Sequence, residues 1–401
     1  MAISKLENMA EMVKLARMLG LERHAVSYLA TLPPHEIRRL REAALKRMFV
    51  RDSLMFARLA KASRLLPNAL VAFLGEKVFG PMLAARIAGE MPTERAVDIA
   101  NRMSIPFLAD VAIELDPEAA KHIIAAMPGE RVRDVAIELL KRGEFITMGR
   151  FTDYLSAKTI RTVIGAIRDD EALLHIGFFM ESKHRLNEVV RMLSDDRLRN
   201  MIAHAQEKPT ELWPEALGLI THVDDELKQR LGDLAAEQDE EVLAGLAGIS
   251  HQLQLWGDVL PVVACMSAVS QTRLMALPIL QDIPVMEGIL KTADENQLWE
   301  ALLPQIKRMS EGQLAQVAEI ATSLPEAAQE RILVAARAAG LWDQLFEMVA
   351  SLPKPKRKTL EDIVARFARL DDSLVDELSG QAKRHGLDDL LGIAIAAIGA
   401  D

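Results

Sequence analysis

The tryptophans of this 401-residue chain recur at a fixed interval, and this period constrains the fold more than any other feature. All four stand in the dipeptide Leu-Trp, at Trp213, Trp256, Trp299 and Trp342, and successive copies are 43 residues apart. A fixed period of this length indicates repeated supersecondary units that bury a continuous core by stacking. We therefore expect each tryptophan to be buried where successive layers of helices meet.

The residues between the tryptophans predict about three short helices in each 43-residue unit. A large apolar residue lies four positions after each tryptophan, and more follow in steps of three, as on one helical face. Asp224, Ser267 and Ser310 occupy equivalent helix-start positions, where a side-chain oxygen caps free backbone N–H groups. A related Gly-Leu pair recurs near both ends of the chain, at Gly20-Leu21, Gly340-Leu341 and Gly386-Leu387.

Residues 92–139 follow a shorter period of 12 residues. Each unit ends at an apolar residue (Met103, Leu115, Met127 or Leu139), and proline, serine or aspartate starts the units. Helices this short persist only by stacking on their neighbours. The segments MPTERAVDIANRM, LDPEAAKHIIAAM and MPGERVRDVAIEL resemble the cytosolic N-terminal superhelix of MgtE-type magnesium transporters, with looser continuation to about residue 205. The resemblance implies a superhelix, and no magnesium-site motif of that family maps onto this sequence.

The two periods together predict an all-α fold, a right-handed α-solenoid or superhelix of short helical repeats. The aromatic content of 4% also favours helix over strand. Three segments are expected: a basic N-terminal helical cap (1–90), a short-helix superhelix resembling the MgtE N-terminal domain (91–205), and four 43-residue three-helix repeats with a C-terminal cap (206–401). The 43-residue units are similar in length to HEAT and armadillo repeats, which implies a scaffold.

No sequence motif for catalysis, a cofactor or a metal ion is found. HExxH, a P-loop, GxGxxG, GxSxG and the EF-hand pattern are absent, and the histidines are scattered. Cys265 is the single cysteine and is interpreted as a small apolar filler. Acidic pairs such as Asp169-Asp170 are interpreted as helix caps. We therefore expect a non-enzymatic protein with no cofactor and no metal, and an enzyme with a dispersed site is the alternative.

Charge is unevenly distributed, and the basic N-terminal part is the best candidate for a contact surface. The net charge is −10, although residues 1–70 are rich in lysine and arginine, so the rest of the chain is acidic. Because nucleic acid binds to basic surfaces, this acidic remainder disfavours nucleic acid as a partner. A long amphipathic helix is expected from Ile37 to Leu66, and the apolar stretch from Leu65 to Val78 is suited to shallow membrane insertion. The candidate contact residues are Arg38, Arg39, Arg41, Arg47, Arg51, Arg58, Lys354, Lys356, Arg357 and Lys358.

The sequence therefore predicts a scaffold or adaptor that presents an extended solenoid surface to another protein. A peripheral adaptor that docks on an anionic membrane through the basic helix is the alternative. A third interpretation pairs the basic residues with the acidic body of the same chain and needs no partner. No secretory signal or spanning segment is predicted, so we expect a cytoplasmic location, with peripheral membrane attachment as the alternative.

Overall fold

The computed structural model describes residues 5–50, 53–351 and 380–387. Over these ranges the chain is all-α and contains no β-strand, which confirms the predicted fold class and is compatible with a helical-repeat solenoid. None of the helices so described has the length and apolar character needed to span a membrane. The chain divides into an N-terminal unit, Ala2–Leu227, and a C-terminal unit, Lys228–Asp401. The three segments expected from the sequence stay a prediction.

The N-terminal unit consists of short helices, with a 3₁₀ helix at Arg23–Thr31 and a π-helical turn at Gly75–Phe79. The α-helices are α1 (Lys5–Leu19), α2 (Pro34–Val50), α3 (Ser53–Ser63), α4 (Asn68–Leu74), α5 (Gly80–Gly89), α6 (Thr93–Arg102), α7 (Ile105–Glu114), α8 (Lys121–Ala126), α9 (Gly129–Lys141), α10 (Phe145–Thr152), α11 (Ala157–Ala166), α12 (Asp170–Phe178), α13 (Lys183–Met192), α14 (Asp195–Glu207) and α15 (Leu212–His222). The helix expected from Ile37 to Leu66 corresponds to α2 and α3, and residues 51–52 lie outside the described ranges.

In the described part of the C-terminal unit, the segments that begin at Trp256 and at Trp299 each contain three α-helices, and α16 spans the division between the units. Most of the fourth predicted repeat lies outside the described ranges. The helices of the C-terminal unit are α16 (Asp225–Ala236), α17 (Glu240–Gln252), α18 (Trp256–Cys265), α19 (Ala268–Met275), α20 (Ile283–Glu295), α21 (Trp299–Leu302), α22 (Glu311–Ser323), α23 (Glu326–Ala338) and α24 (Trp342–Ser351), with 3₁₀ helices at Pro278–Gln281 and Leu303–Arg308. The four tryptophans are all buried, as expected from the sequence.

The 12-residue period sets the helix boundaries in the middle of the N-terminal unit. Met103, Leu115 and Met127 are the C-caps of α6, α7 and α8, as predicted. The prediction is wrong at Leu139, because α9 continues to Lys141. Helix-forming residues follow Leu139 where the earlier units have serine, aspartate or proline, so nothing stops the helix at that point.

Alternate helices of the N-terminal unit pack on each other, so that α5, α7, α9, α11 and α13 form one continuous row. A second type of contact joins helices three positions apart in the chain: an arginine in the first turn of one helix donates to carbonyls at the end of the earlier helix. Arg95 donates to the carbonyls of Ser63 at 2.7 Å and Leu66 at 3.0 Å. Arg131 and Arg197 form the same kind of bond pair with the C-terminal ends of α6 and α11. These bonds satisfy carbonyls that a helix end leaves without partners.

Three of the four Leu-Trp pairs follow a helix ending with a left-handed residue two positions before the tryptophan, and the exception is Trp213, where Glu211 has a φ of −102°. Gln254, Gln297 and Gly340 have φ values of 56°, 57° and 64°. The N–H of the next residue bonds to a carbonyl five positions earlier, at 2.7–2.8 Å, as in a Schellman motif. The same bond pattern closes the helices that end at Gly20 and Gly386, so the Gly-Leu pairs do mark equivalent turns.

Replacing Gln297 by glycine is expected to stabilise the C-terminal unit by about 0.5–1 kcal/mol. A side chain in the left-handed region clashes with its own backbone, whereas glycine adopts φ near 57° at no steric cost. The converse change, Gly340→Ala, should destabilise by about 1 kcal/mol. Urea denaturation monitored by circular dichroism measures both, and effects of the same sign would contradict the shared turn geometry.

Candidate functional site

The structure places the predicted basic residues in three different settings. Arg38 and Arg41 pair with acidic residues of the same chain, and Arg41 is buried. Arg39, Arg47 and Arg58 are exposed. The remaining candidates lie outside the described ranges, namely Arg51, Lys354, Lys356, Arg357 and Lys358. The predicted contact role is therefore carried further here only for the exposed arginines.

Arg41 belongs to a buried charge cluster built by α1, α2 and the turn after α12. Its guanidinium lies 3.2 Å from the carboxylate of Glu11 and 2.8 Å from that of Glu181. Lys14 lies 3.3 Å from Glu11, and Arg38 donates to the same carboxylate at 3.1 Å. Because Glu11 compensates three cations at once, the cluster fastens the N-terminal helices to the body of the N-terminal unit.

Burial and charge act against each other on the pKa values in this cluster. Burial lowers the pKa of Lys14, although the carboxylates of Glu11 and Glu181 favour its charged form. Burial alone would raise the pKa of Glu181, but the charges of Lys14 and Arg41 outweigh it and lower the pKa. Nearby Asp153, after α10, has a pKa raised to about 6 by burial and by the charge of Glu181. Of these groups, Lys14 and Glu181 line a cavity of only 60 Å³.

The Asp153→Asn variant is expected to be more stable than the parent protein at pH 8, and by a clearly smaller margin at pH 4.5. The pKa of Asp153 is about 6 in the folded chain and 3.8 ordinarily, so ionisation opposes folding increasingly between these values. Asparagine removes this penalty, and partial solvent exposure limits the gain to about 1 kcal/mol. Urea denaturation at both pH values measures it. An equal gain at both would assign the effect to hydrogen bonding instead of charge.

A second feature is a set of exposed apolar side chains between α3 and α5, which we call the apolar surface. It comprises Leu65, Leu70, Phe73, Val78 and Met82, and Leu65 is 88% exposed. The stretch from Leu65 to Val78, interpreted above as suited to shallow insertion, provides most of it. Exposed apolar side chains concentrated in one stretch are typical of contact sites, whereas isolated ones need no explanation.

The third feature is a cavity of about 680 Å³ inside the N-terminal unit. Helices from α3 to α13 line it, and the wall consists of alanine, valine, leucine, isoleucine, methionine and phenylalanine with two glycines, one serine and one threonine. The two hydroxyls, of Ser63 and Thr152, donate to carbonyls of their own helices at 2.7 and 2.9 Å. Among the residues that the structure describes, no titratable side chain lines the cavity.

The chemistry of the wall limits what this cavity can hold. Water is a poor occupant because each buried molecule needs two to four polar partners, and this wall offers almost none. The cavity is therefore suited to an apolar occupant.

The sequence analysis did not predict the cavity or the buried charge cluster. It interpreted the acidic pairs and Cys265 as structural. Asp169 accepts a hydrogen bond from the N–H of Ala172 at 3.1 Å, which confirms its interpretation as a cap. Cys265 is half-buried. Within residues 5–50, 53–351 and 380–387, no three His, Cys, Asp or Glu side chains are grouped as metal ligands would be.

No protein-family model matches the chain, and no curated protein matches it either.

Proposed function

We propose that the chain is a non-enzymatic interaction scaffold, an α-solenoid of helical repeats that docks a partner protein on the apolar surface. The observation that carries the proposal is the exposure of Phe73, Val78 and their neighbours on consecutive helices of a stacked array. Stacked helices give a rigid, extended framework, and large apolar side chains supply the anchors of a protein interface. The resemblance of residues 92–205 to the MgtE superhelix is part of this proposal.

The distribution of titratable groups favours binding over catalysis. An enzyme places titratable groups of perturbed pKa in the pocket that receives the substrate. In the described part of the N-terminal unit, the large cavity is lined by none, and the perturbed groups Lys14 and Glu181 line a much smaller space. A binding protein, unlike an enzyme, does not need titratable groups in its large cavity.

The double variant F73S/V78S tests the proposal against a matched control in the C-terminal unit. The control V269S/V334S likewise replaces two exposed apolar side chains by serine, since Val269 and Val334 are 80% and 55% exposed. Affinity purification from the native host should recover one stoichiometric partner with the parent protein and with V269S/V334S. Recovery should fall at least tenfold with F73S/V78S. Equal recovery with both variants would contradict the assigned surface.

A peripheral membrane adaptor is the second candidate, and the charge around the apolar surface favours it. Arg58, Lys61 and Arg64 are exposed, and the sequence has no aspartate or glutamate between Ser53 and Gly75. Cations beside exposed apolar side chains are typical of attachment to anionic lipid. Flotation with vesicles rich in anionic phospholipid, and its loss in R58Q/K61Q/R64Q, would favour this candidate over the protein scaffold.

A further inference from the structure

We infer that the cavity of the N-terminal unit binds one long-chain fatty acid, with its acyl chain inside the cavity and its carboxylate at the opening. This site differs from the docking function proposed above, because the apolar surface residues Phe73 and Val78 are not among the residues that line the cavity. The inference rests on the chemistry of the wall, the position of the opening and the charge around that opening.

The wall excludes ligands that carry polar groups along their length. Its hydroxyls at Ser63 and Thr152 already donate within their own helices, so a buried hydroxyl, amide or phosphate of a ligand would lack partners. Hydrocarbon has no such requirement, and a volume of about 680 Å³ lies in the ordinary range of small-molecule sites. The buried part of the ligand is therefore an aliphatic chain.

The exposed lining residues all lie at one end of the cavity. They are Met55, Leu59, Ala62, Leu66 and Phe79, from α3 to the π-helical turn, whereas the lining residues of α6 to α13 are buried or half-buried. Short π-helical segments are rare and occur frequently at functional sites. A cavity that opens at one end fits a ligand with one polar end.

The charge at the opening selects an anionic polar end. Arg58, Lys61 and Arg64 do not line the cavity, but they lie on α3 and in the turn after it, the same segment that supplies the exposed lining residues Met55, Leu59, Ala62 and Leu66, and their side chains are exposed. The stretch from Ser53 to Gly75 contains no carboxylate that would neutralise them. A fatty acid has both the aliphatic chain that the wall requires and the negative charge that these cations favour. An uncharged alcohol of the same length has only the aliphatic chain.

Titration of the full chain with palmitate, after bound lipid has been extracted on a hydrophobic resin, tests the inference. We expect saturable binding of one palmitate per chain, detected by calorimetry and by displacement of a fluorescent polyene fatty acid. Octanoate should bind at least tenfold more weakly because it buries fewer methylenes. Absence of saturable palmitate binding would overturn the inference.

Variants of the wall and of the opening locate the ligand. Ala136 lines the cavity from α9, so Ala136→Phe should weaken palmitate binding at least tenfold, and Ala112→Leu serves if that variant fails to fold. Exposed Ala119 provides the control Ala119→Phe, which should bind normally. R58Q/K61Q/R64Q should raise the Kd for palmitate about fivefold and leave that for hexadecanol unchanged.

The outcomes separate this site from the apolar surface. If Ala136→Phe and Ala112→Leu both fold and both bind palmitate normally, the cavity is not the site and the inference is wrong. Loss of palmitate binding in F73S/V78S, with normal binding in the wall variants, would move the acid to the outer surface and also overturn it. Equal effects of R58Q/K61Q/R64Q on palmitate and hexadecanol would overturn the assignment of the carboxylate. Recovery of a partner protein is measured separately from palmitate binding. The scaffold proposal can therefore fail while palmitate still binds, and the reverse can also be observed.

Discussion

Replacing Glu11 by alanine is expected to lower the free energy of unfolding of the N-terminal unit by about 3–5 kcal/mol. Its side chain is 1% exposed and bonds to Lys14, Arg38 and Arg41. Alanine leaves two buried cations with Glu181 as their remaining acidic partner in the cluster, and an uncompensated buried charge is strongly unfavourable. Urea denaturation monitored by circular dichroism, with hydrogen exchange to assign the loss to α1 and α2, measures the effect.

The exposed glutamate of α2 provides the control. Glu36 is about half exposed and lies 4.0 Å from Arg39, so Glu36→Ala should change stability by less than about 0.5 kcal/mol. The double variant E11L/R41M removes both charges and should lose less than the sum of the single losses, because it leaves fewer unpaired charges. A loss below about 1 kcal/mol in Glu11→Ala would contradict the compensating role of this carboxylate.

The helix boundaries were predictable because capping chemistry is local. Ser267 and Ser310 stand at equivalent repeat positions, and each hydroxyl accepts the N–H of the residue three positions later. The end of α9 could have been read from Gly143, whose φ of 70° closes that helix. Gln254 and Gln297 adopt the same left-handed turn, but glutamine does not signal it in the sequence. Only their alignment with Gly340 indicates the turn.

The cavity and the charge cluster could not be predicted because both depend on distances between helices. Residues that line the cavity follow the same apolar period as residues that pack in the core, so periodicity alone does not separate a filled interior from an open one. Similarly, Arg41 resembles an exposed arginine of an amphipathic helix. Its partners Glu11 and Glu181 lie 30 and 140 residues away in the sequence, where no local rule connects them.

Replacing Trp299 by alanine is expected to destabilise the C-terminal unit by about 3–5 kcal/mol, the cost of removing a large buried aromatic side chain. Trp299 is 3% exposed and belongs to the core that also contains Trp342. Its indole N–H lies 3.3 Å from the carboxylate of Asp294, which also receives two hydrogen bonds from Arg331 at 2.8 Å. The change therefore removes packing and one member of a hydrogen-bonded group that joins adjacent repeats.

The distribution of this loss along the chain tests the repeat architecture itself. In stacked repeats each layer contacts its neighbours, so Trp299→Ala should reduce amide protection in α20 to α23 and leave α6 to α9 unchanged. Trp299→Phe keeps most of the ring volume and should lose less than half as much stability. Equal loss of protection in α6 to α9 would show that the chain unfolds as one cooperative body, and the repeat description would then fail as an account of its stability.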